Sequence, residues 1–272
     1  MPSHRDTILD QFSRQAVPFS TAAPIRDERA LRLLVEASGA GPDDTVLDVA
    51  CGPGLVSCAF ARVAWQVTGI DLTPAMIERA RALAAEQRLT NLIFQLGDVL
   101  PLPFPDAAFS IVVSRFAFHH FLDPAAVLAE MRRVCRPGGR VVVADLMASP
   151  DPAKAAAFHR MEILRDPSHA RALTLVELRA LFSEAGFAAP AEAFWRMDID
   201  VEGLLERSFP EPGCEPVIRR MFEDSVANDG LGLETRRAGG RLRFTYSNVI
   251  LTGVTADDPT EMRYHVRRAG ED

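Results

Sequence analysis

The stretch Val46-Leu47-Asp48-Val49-Ala50-Cys51-Gly52-Pro53-Gly54 decides the fold. Val46 to Ala50 is apolar apart from Asp48, the pattern of a strand buried on both faces in the middle of a parallel sheet. The run then breaks into Gly-x-Gly, and Leu55 to Val63 reads as a helix. Glycines at such a strand-to-helix turn let the backbone curl tightly and approach a ligand. Asp48 does not belong in a plain core strand, because a buried carboxylate is costly unless hydrogen-bonded or paired. It is expected to face a ligand that carries donors or positive charge.

Outward from this stretch, strands and helices alternate. Upstream, residues 4 to 37 have helical spacing in two pieces, expected to break near Pro18 and Pro24. The first piece carries Ile8, Leu9, Phe12, Ala16 and Phe19; the second, from Asp27, stacks Ala30, Leu31, Leu34 and Val35 and ends before Gly39. Downstream, Gln66 to Ile70 is a second strand closed by Asp71, and Thr73-Pro74 fits an N-cap followed by proline at the first helical position. Leu92 to Leu96 is a third strand ending in Gly97-Asp98, and Phe109 to Val113 a fourth. Asp123-Pro124 opens a helix through Val134 that stops at Pro137-Gly138-Gly139, before a fifth strand from Arg140 to Asp145. Such alternation with short turns predicts an α/β fold: a doubly wound, mostly parallel seven-stranded sheet with right-handed crossovers.

Beyond the fifth strand the pattern loosens. Residues 146–173 are helical but broken at Asp166-Pro167-Ser168-His169. Thr174 and Glu177 form a capping box, and a short strand is expected around Ala193-Phe194-Trp195. A polar stretch over 199–240 holds one or two helices before a last strand from Phe244 to Val254. The expected organisation is a helical lid segment over 1–40, one α/β domain over 41–256 with substrate-side insertions at 146–173 and 199–240, and a frayed tail over 257–272.

Composition narrows the function. With 272 residues, 48% hydrophobic and 25% charged, the chain can bury one large core. A net charge of -7 leaves no basic stripe to neutralise phosphates, so no nucleic-acid partner is expected. Cys51, Cys58, Cys135 and Cys214 show neither C-x-x-C pairing nor histidines at zinc spacing, so no metal is expected. Met1 to Asp6 has no apolar leader stretch and no later run approaches a membrane span; the cytoplasm, with reduced thiols, is the expected location.

Three successive strand ends carry acids: Asp48, Asp71 and Asp98. Ligands of open parallel sheets bind outside those ends, where the strand order reverses. Asp71 follows the glycine turn by roughly 20 residues, the spacing of a ribose-binding acid. The dinucleotide fingerprint nevertheless fails, because Ser57 stands where the third glycine belongs and Asp48 would repel a pyrophosphate. The expected ligand has ribose hydroxyls and an ammonium, without phosphates.

Together with Arg133-Val134-Cys135-Arg136-Pro137-Gly138-Gly139, these motifs resemble the class I S-adenosylmethionine-dependent methyltransferases, in particular the small-molecule branch that includes ubiquinone and menaquinone biosynthesis. The resemblance covers Val46 to Leu146 strongly and Thr174 to Val254 weakly. It implies Asp48 near the methionine ammonium, and the backbone of Gly52 and Gly54 against the methionine and ribose. It further implies Asp71 on both ribose hydroxyls, Leu72 and Met76 flanking the adenine, and Gly97, Asp98 and Val99 at the adenine edge. Ser114 and Arg115 would lie along the methionine segment, and Ala50 replaces a glycine often found there.

The acceptor side is less defined. His120 matches the base of phosphoethanolamine methyltransferases in Ser114-Arg115-x-Ala117-x-x-His120 and is the candidate catalytic residue, or else a packing residue. Phe116 stands where those enzymes carry an acid, which argues against a cationic amine acceptor. Phe12, Gln15 and Phe19 of the lid, with His119, His159 and His169, are candidates for the acceptor pocket. The resulting expectation is transfer of the methyl of S-adenosylmethionine, leaving S-adenosylhomocysteine, to oxygen, nitrogen or carbon of a small molecule in secondary-metabolite or quinone chemistry, by a monomer or homodimer. The rivals are an NAD(P)-dependent oxidoreductase and a catalytically silent cofactor-binding protein.

Overall fold

The computed structural model describes residues 3–256. Its sheet has the order β3-β2-β1-β4-β5-β8-β6, formed by β1 (Thr45–Val49), β2 (Gln66–Asp71), β3 (Leu92–Leu96), β4 (Phe109–Arg115), β5 (Cys135–Leu146), β6 (Ala191–Asp200) and β8 (Arg241–Val254). The three-residue β7 (Arg236–Ala238) pairs with β8 as an eighth strand, beyond the seven expected. β1 to β5 are parallel, and β8 runs antiparallel between β5 and β6. The order reverses between β1 and β4, so the carboxyl ends of these two strands open the crevice in which such sheets bind ligands.

Alternate residues of β1 point into two different cores. Val46 packs with Leu34, Phe60, Val67, Ile111 and Val142, whereas Leu47 and Val49 pack with Ile70, Val112, Leu128, Met131 and Phe182. Helices α2 (Glu28–Ser38), α3 (Leu55–Ala61) and α4 (Pro74–Glu86) cover the first face, and α5 (Pro124–Val134) and α7 (Leu175–Glu184) the second. A third apolar cluster, including Phe158, Met161, Leu204, Phe222 and Phe244, joins α6 (Pro152–Arg165), α8 (Val201–Ser208) and α9 (Cys214–Asn228) above the crevice.

Local chemistry explains the boundaries. Asp27, Asp123 and Asp151 each cap a helix by accepting a backbone N–H, and Thr174 closes its capping box with Glu177. Thr73 occupies an N-cap position, but its side chain makes no cap bond. The expected break at Pro18 does not occur: α1 spans His4–Thr21 with Pro18 inside it. Ser20 Oγ and Thr21 Oγ1 turn back to Val17 O at 2.8 and 3.1 Å, and the helix stops at Thr21, one turn after Pro18. β6, expected around Phe194, runs ten residues, and its outer end alternates Asp198 and Asp200 with Met197 and Ile199. Arg243 and Arg241 of β8 pair with those two acids, so the polar edge face is neutralised. No helix among the described residues is long and apolar enough to cross a membrane. The expectation of a frayed tail falls on 257–272, outside the described residues.

Candidate functional site

A cavity of about 340 Å³ opens at the carboxyl ends of β1, β2 and β4. Its floor is the turn after β1, where Ala50, Gly52 and Gly54 all have left-handed backbone, at φ 56°, 52° and 81°. Ala50 therefore carries a Cβ in a conformation that favours glycine. Gly54 does not border the cavity, and a Cβ there would meet Ala80 Cβ at 2.9 Å.

Asp71 sits on the cavity wall with each oxygen held by a backbone donor, Gly52 N to Oδ2 and Thr73 N to Oδ1, both at 2.8 Å. Burial raises its pKa against these bonds. Each oxygen keeps a lone pair for a further donor, as a vicinal diol requires. Asp48 lies beneath the turn, 1% exposed, with Ser57 Oγ donating to Oδ2 at 2.6 Å. Burial, with this hydroxyl and Arg115 opposing it, pushes the Asp48 carboxyl up to about 7. Ser57, which broke the dinucleotide pattern, is thus the partner of the odd acid. It is the one hydroxyl in the apolar run Leu55-Val56-Ser57-Cys58-Ala59-Phe60, a signal the sequence carried.

Arg115 ends β4 and borders the same cavity. Nη1 donates to Ile25 O at 3.1 Å, while Nη2 is buried without a partner. Burial lowers its pKa to about 10. The guanidinium stands 4.5 Å from the centroid of Phe116, which is itself held at φ 57°. A left-handed aromatic residue is strained, and such strain concentrates where a wall must take one shape. Leu72, Met76 and Val99 add an apolar slot. The cavity therefore offers an orphan guanidinium N–H for a carboxylate, two acceptors for a diol and an apolar bed, while the Asp48 carboxylate lies beneath its floor and outside its lining. Ser114 and Gly97 do not border it; Ser114 Oγ is fully buried without a partner, and a Cβ on Gly97 would meet Ile70 at 2.9 Å.

Helix α1 closes the mouth through Arg5, Ile8, Phe12 and Phe19. Arg5 pairs with Asp98 Oδ2, and His4 Nε2 lies 2.8 Å from His120 O. Asp98 Oδ1 accepts from Val99 N at 2.7 Å, so the acid expected at the adenine edge is engaged by its own backbone and by the lid helix.

Behind the first cavity lies a second, of about 70 Å³. The two share a wall of Phe12, Phe19, Ile25, Phe116 and His120. Gln15 and His119 also face the second chamber, together with Arg165, Asp166, Arg207 and Tyr246 from three distant segments. His120 Nδ1 lies 3.0 Å from Ser168 O, an atom that can only accept, so Nδ1 carries the proton and Nε2 keeps its lone pair. Ser168 Oγ in turn donates to Asp166 Oδ1 at 2.5 Å. Burial, and then the neighbouring His119, push the His120 imidazole down to about 4, so it is neutral at neutral pH. His119 is fixed by Asp145 at 2.6 Å. His159 and His169 border neither chamber and pack behind the second, their rings 5.3 Å apart. Both nitrogens of His169 are buried without partners, and burial holds its pKa far down. No group of three potential ligands able to hold a metal ion occurs among the described residues.

Comparison with known proteins places this geometry. The profile of the methyltransferase domain matches residues 47–143. An uncharacterised methyltransferase of Bacillus subtilis (strain 168), YcgJ, is 30% identical over 246 residues, covering 87% of this chain and 97% of the relative. The crystal structure of YcgJ matches with a TM-score of 0.78 at 27% identity, covering 85% of this chain and 99% of that one. A malonyl-[acyl-carrier protein] O-methyltransferase of Serratia marcescens is 36% identical over 153 residues, 54% of this chain and 58% of that enzyme.

Proposed function

The chain belongs to the class I S-adenosylmethionine-dependent methyltransferases, and from that premise we propose that it methylates a small molecule held in the second chamber, with His120 receiving the displaced proton. One observation carries the reading: a large chamber lined by Arg115 and Asp71, with Asp48 beneath its floor, shares its wall, His120 included, with a small aromatic chamber.

Asp48 and Arg115 would take the ammonium and carboxylate of the methionine end, which relieves a carboxylate driven towards its neutral form and a guanidinium nitrogen left bare. Asp71 would accept from the ribose hydroxyls, with Gly52 N holding its carboxylate in place. Ala50 and Gly52 would line the methionine side, and Leu72, Met76 and Val99 would bed the adenine. Asp98 would turn to the adenine edge only by giving up Arg5, so α1 acts as a lid whose latch competes with the cofactor.

When bound, S-adenosylmethionine supplies an activated methyl group on a sulfonium for in-line displacement by the acceptor. Most of the acceleration then comes from alignment and exclusion of water, which the shared aromatic wall supports. His120 presents Nε2 as a neutral proton acceptor, held by Ser168 and oriented edge-on to Phe12 at 4.9 Å. A pKa near 4 makes it a weak base, suited to a proton that becomes acidic as the methyl arrives. A chamber of about 70 Å³ supports the small-molecule branch of the family, in secondary-metabolite or quinone chemistry.

Thermal unfolding tests the cofactor half of this reading. S-adenosylmethionine and S-adenosylhomocysteine should each raise the unfolding midpoint in a concentration-dependent way, and NAD should not. Stabilisation by NAD alone would overturn it.

A further inference from the structure

Two arginines face the second chamber, and their surroundings differ. Arg165 donates through Nε and Nη2 to Glu162 Oε2 at 2.8 and 2.5 Å, gives Nη1 to Ser208 Oγ at 3.2 Å, and lies 3.6 Å from Asp166. The neighbouring polar groups are engaged among themselves as well. Tyr246 donates its hydroxyl to Glu162 Oε1 at 2.6 Å, and Gln15 donates to Asp166 Oδ2 at 3.1 Å. Ser208 donates to Leu204 O at 2.6 Å.

Arg207 stands apart from this network. Among the described residues its hydrogen-bond acceptor is Gly203 O of its own helix, at 2.5 Å from Nη1, and no carboxylate lies within ion-pair distance. The rest of its five N–H donors are left for something else. Arg207 is half-buried; that burial lowers its pKa, and Tyr246, Asp200 and Glu162 oppose the shift from beyond ion-pair distance. Arg207 borders the second chamber and not the first, so the cofactor's own carboxylate, on the side of Arg115, does not account for it.

We propose that Arg207 docks a carboxylate of the methyl acceptor, so that the substrate is a small monoanionic acid with an apolar or aromatic body. The proposal rests on the reading of the second chamber as the acceptor site. A guanidinium fork matches a planar carboxylate bidentately. Asp166 in the same wall, with Glu162 behind it on Arg165, opposes a dianion such as a phosphate monoester. Phe12, Phe19, Phe116, Met197 and Leu204 supply the surface for the body of the molecule. The same wall holds His120, so the carboxylate fixes one end of the acceptor while its nucleophilic atom meets the imidazole at the other.

Calorimetry on the protein saturated with S-adenosylhomocysteine tests this with benzoate and hexanoate as probes, each against its amide. The acids should bind and the amides should not. Arg207→Met should weaken acid binding roughly 10–100-fold, the range for a charge-assisted bidentate pair, and leave the S-adenosylhomocysteine affinity unchanged. Arg207→Lys, which keeps the charge and loses the fork, should fall between, and it carries the comparison if the methionine variant does not fold. Equal binding of acid and amide, acid binding untouched by both variants, or no acid binding to the S-adenosylhomocysteine complex overturns the proposal. Failure to bind S-adenosylhomocysteine at all would instead strike the cofactor reading.

Discussion

The two chambers share a wall and were built in opposite ways. The larger draws most of its lining from one run of chain, Ala50 to Val127, at successive strand ends; α1 and Ile25 close it from outside. The smaller collects Gln15, His119, Leu146, Arg165, Met197, Arg207 and Tyr246, each from a different element or the edge of one. A conserved type of cofactor can be held by the invariant part of a fold, the carboxyl edge of a parallel sheet. A particular acceptor needs side chains brought in by insertions, and these carry no shared pattern. The separation is also a physical claim: changes in one chamber should leave the other's ligand alone.

The largest expected effect tests the shared wall. His120→Ala should lower turnover by roughly 10²–10⁴-fold, the range for a general base, measured as transfer of labelled methyl to an acceptor. Survival of turnover would make His120 a packing residue. Asp71→Ala comes next: breaking a buried charged pair should cost about 2–5 kcal/mol of cofactor affinity, read by calorimetry with S-adenosylhomocysteine. Unchanged affinity would remove the ribose role.

A third effect is set by Asp48. With its carboxyl pushed up to about 7, an ammonium beside it must displace a proton whenever the pH is below that value. Affinity for S-adenosylhomocysteine should therefore weaken by up to about tenfold per pH unit below neutrality, and Asp48→Asn should flatten that slope. Without cofactor the sign reverses. A carboxyl raised in the folded state stabilises the fold at low pH, and this contribution is lost as pH rises from the ordinary Asp range through about 7. The smallest effect concerns the latch. Arg5 and Asp98 are both partly exposed, so Arg5→Ala should change affinity by less than about 1 kcal/mol while speeding release of S-adenosylhomocysteine in stopped flow.

Legibility followed the same division. The parallel sheet, its crevice and the acids at three strand ends could be read from sequence, because buried strands and glycine turns leave local patterns. Asp48 was visible as an anomaly, and Ser57, its partner, stood in plain view as a broken fingerprint. Three features show where local pattern and tertiary packing part. Pro18 was taken as a helix break, but it sits in the last turn, where little helix remains to lose. Gly54 is expected against the ligand, and its missing Cβ also makes room for Ala80. His159 and His169 belong to the insertion after the fifth strand, which in relatives often walls the acceptor pocket, and here both pack behind the chamber. Arg165, Asp166, Arg207 and Tyr246 could not have been assembled, since no spacing rule joins residues that only tertiary packing brings together.

The separation of the two chambers is tested most directly by titrating S-adenosylhomocysteine into His120→Ala beside the unaltered protein. The account predicts the same affinity within about twofold, since His120 touches the wall and none of the zwitterion or ribose contacts. A loss comparable to that of Asp71→Ala would contradict it, and would make the shared wall part of the cofactor site.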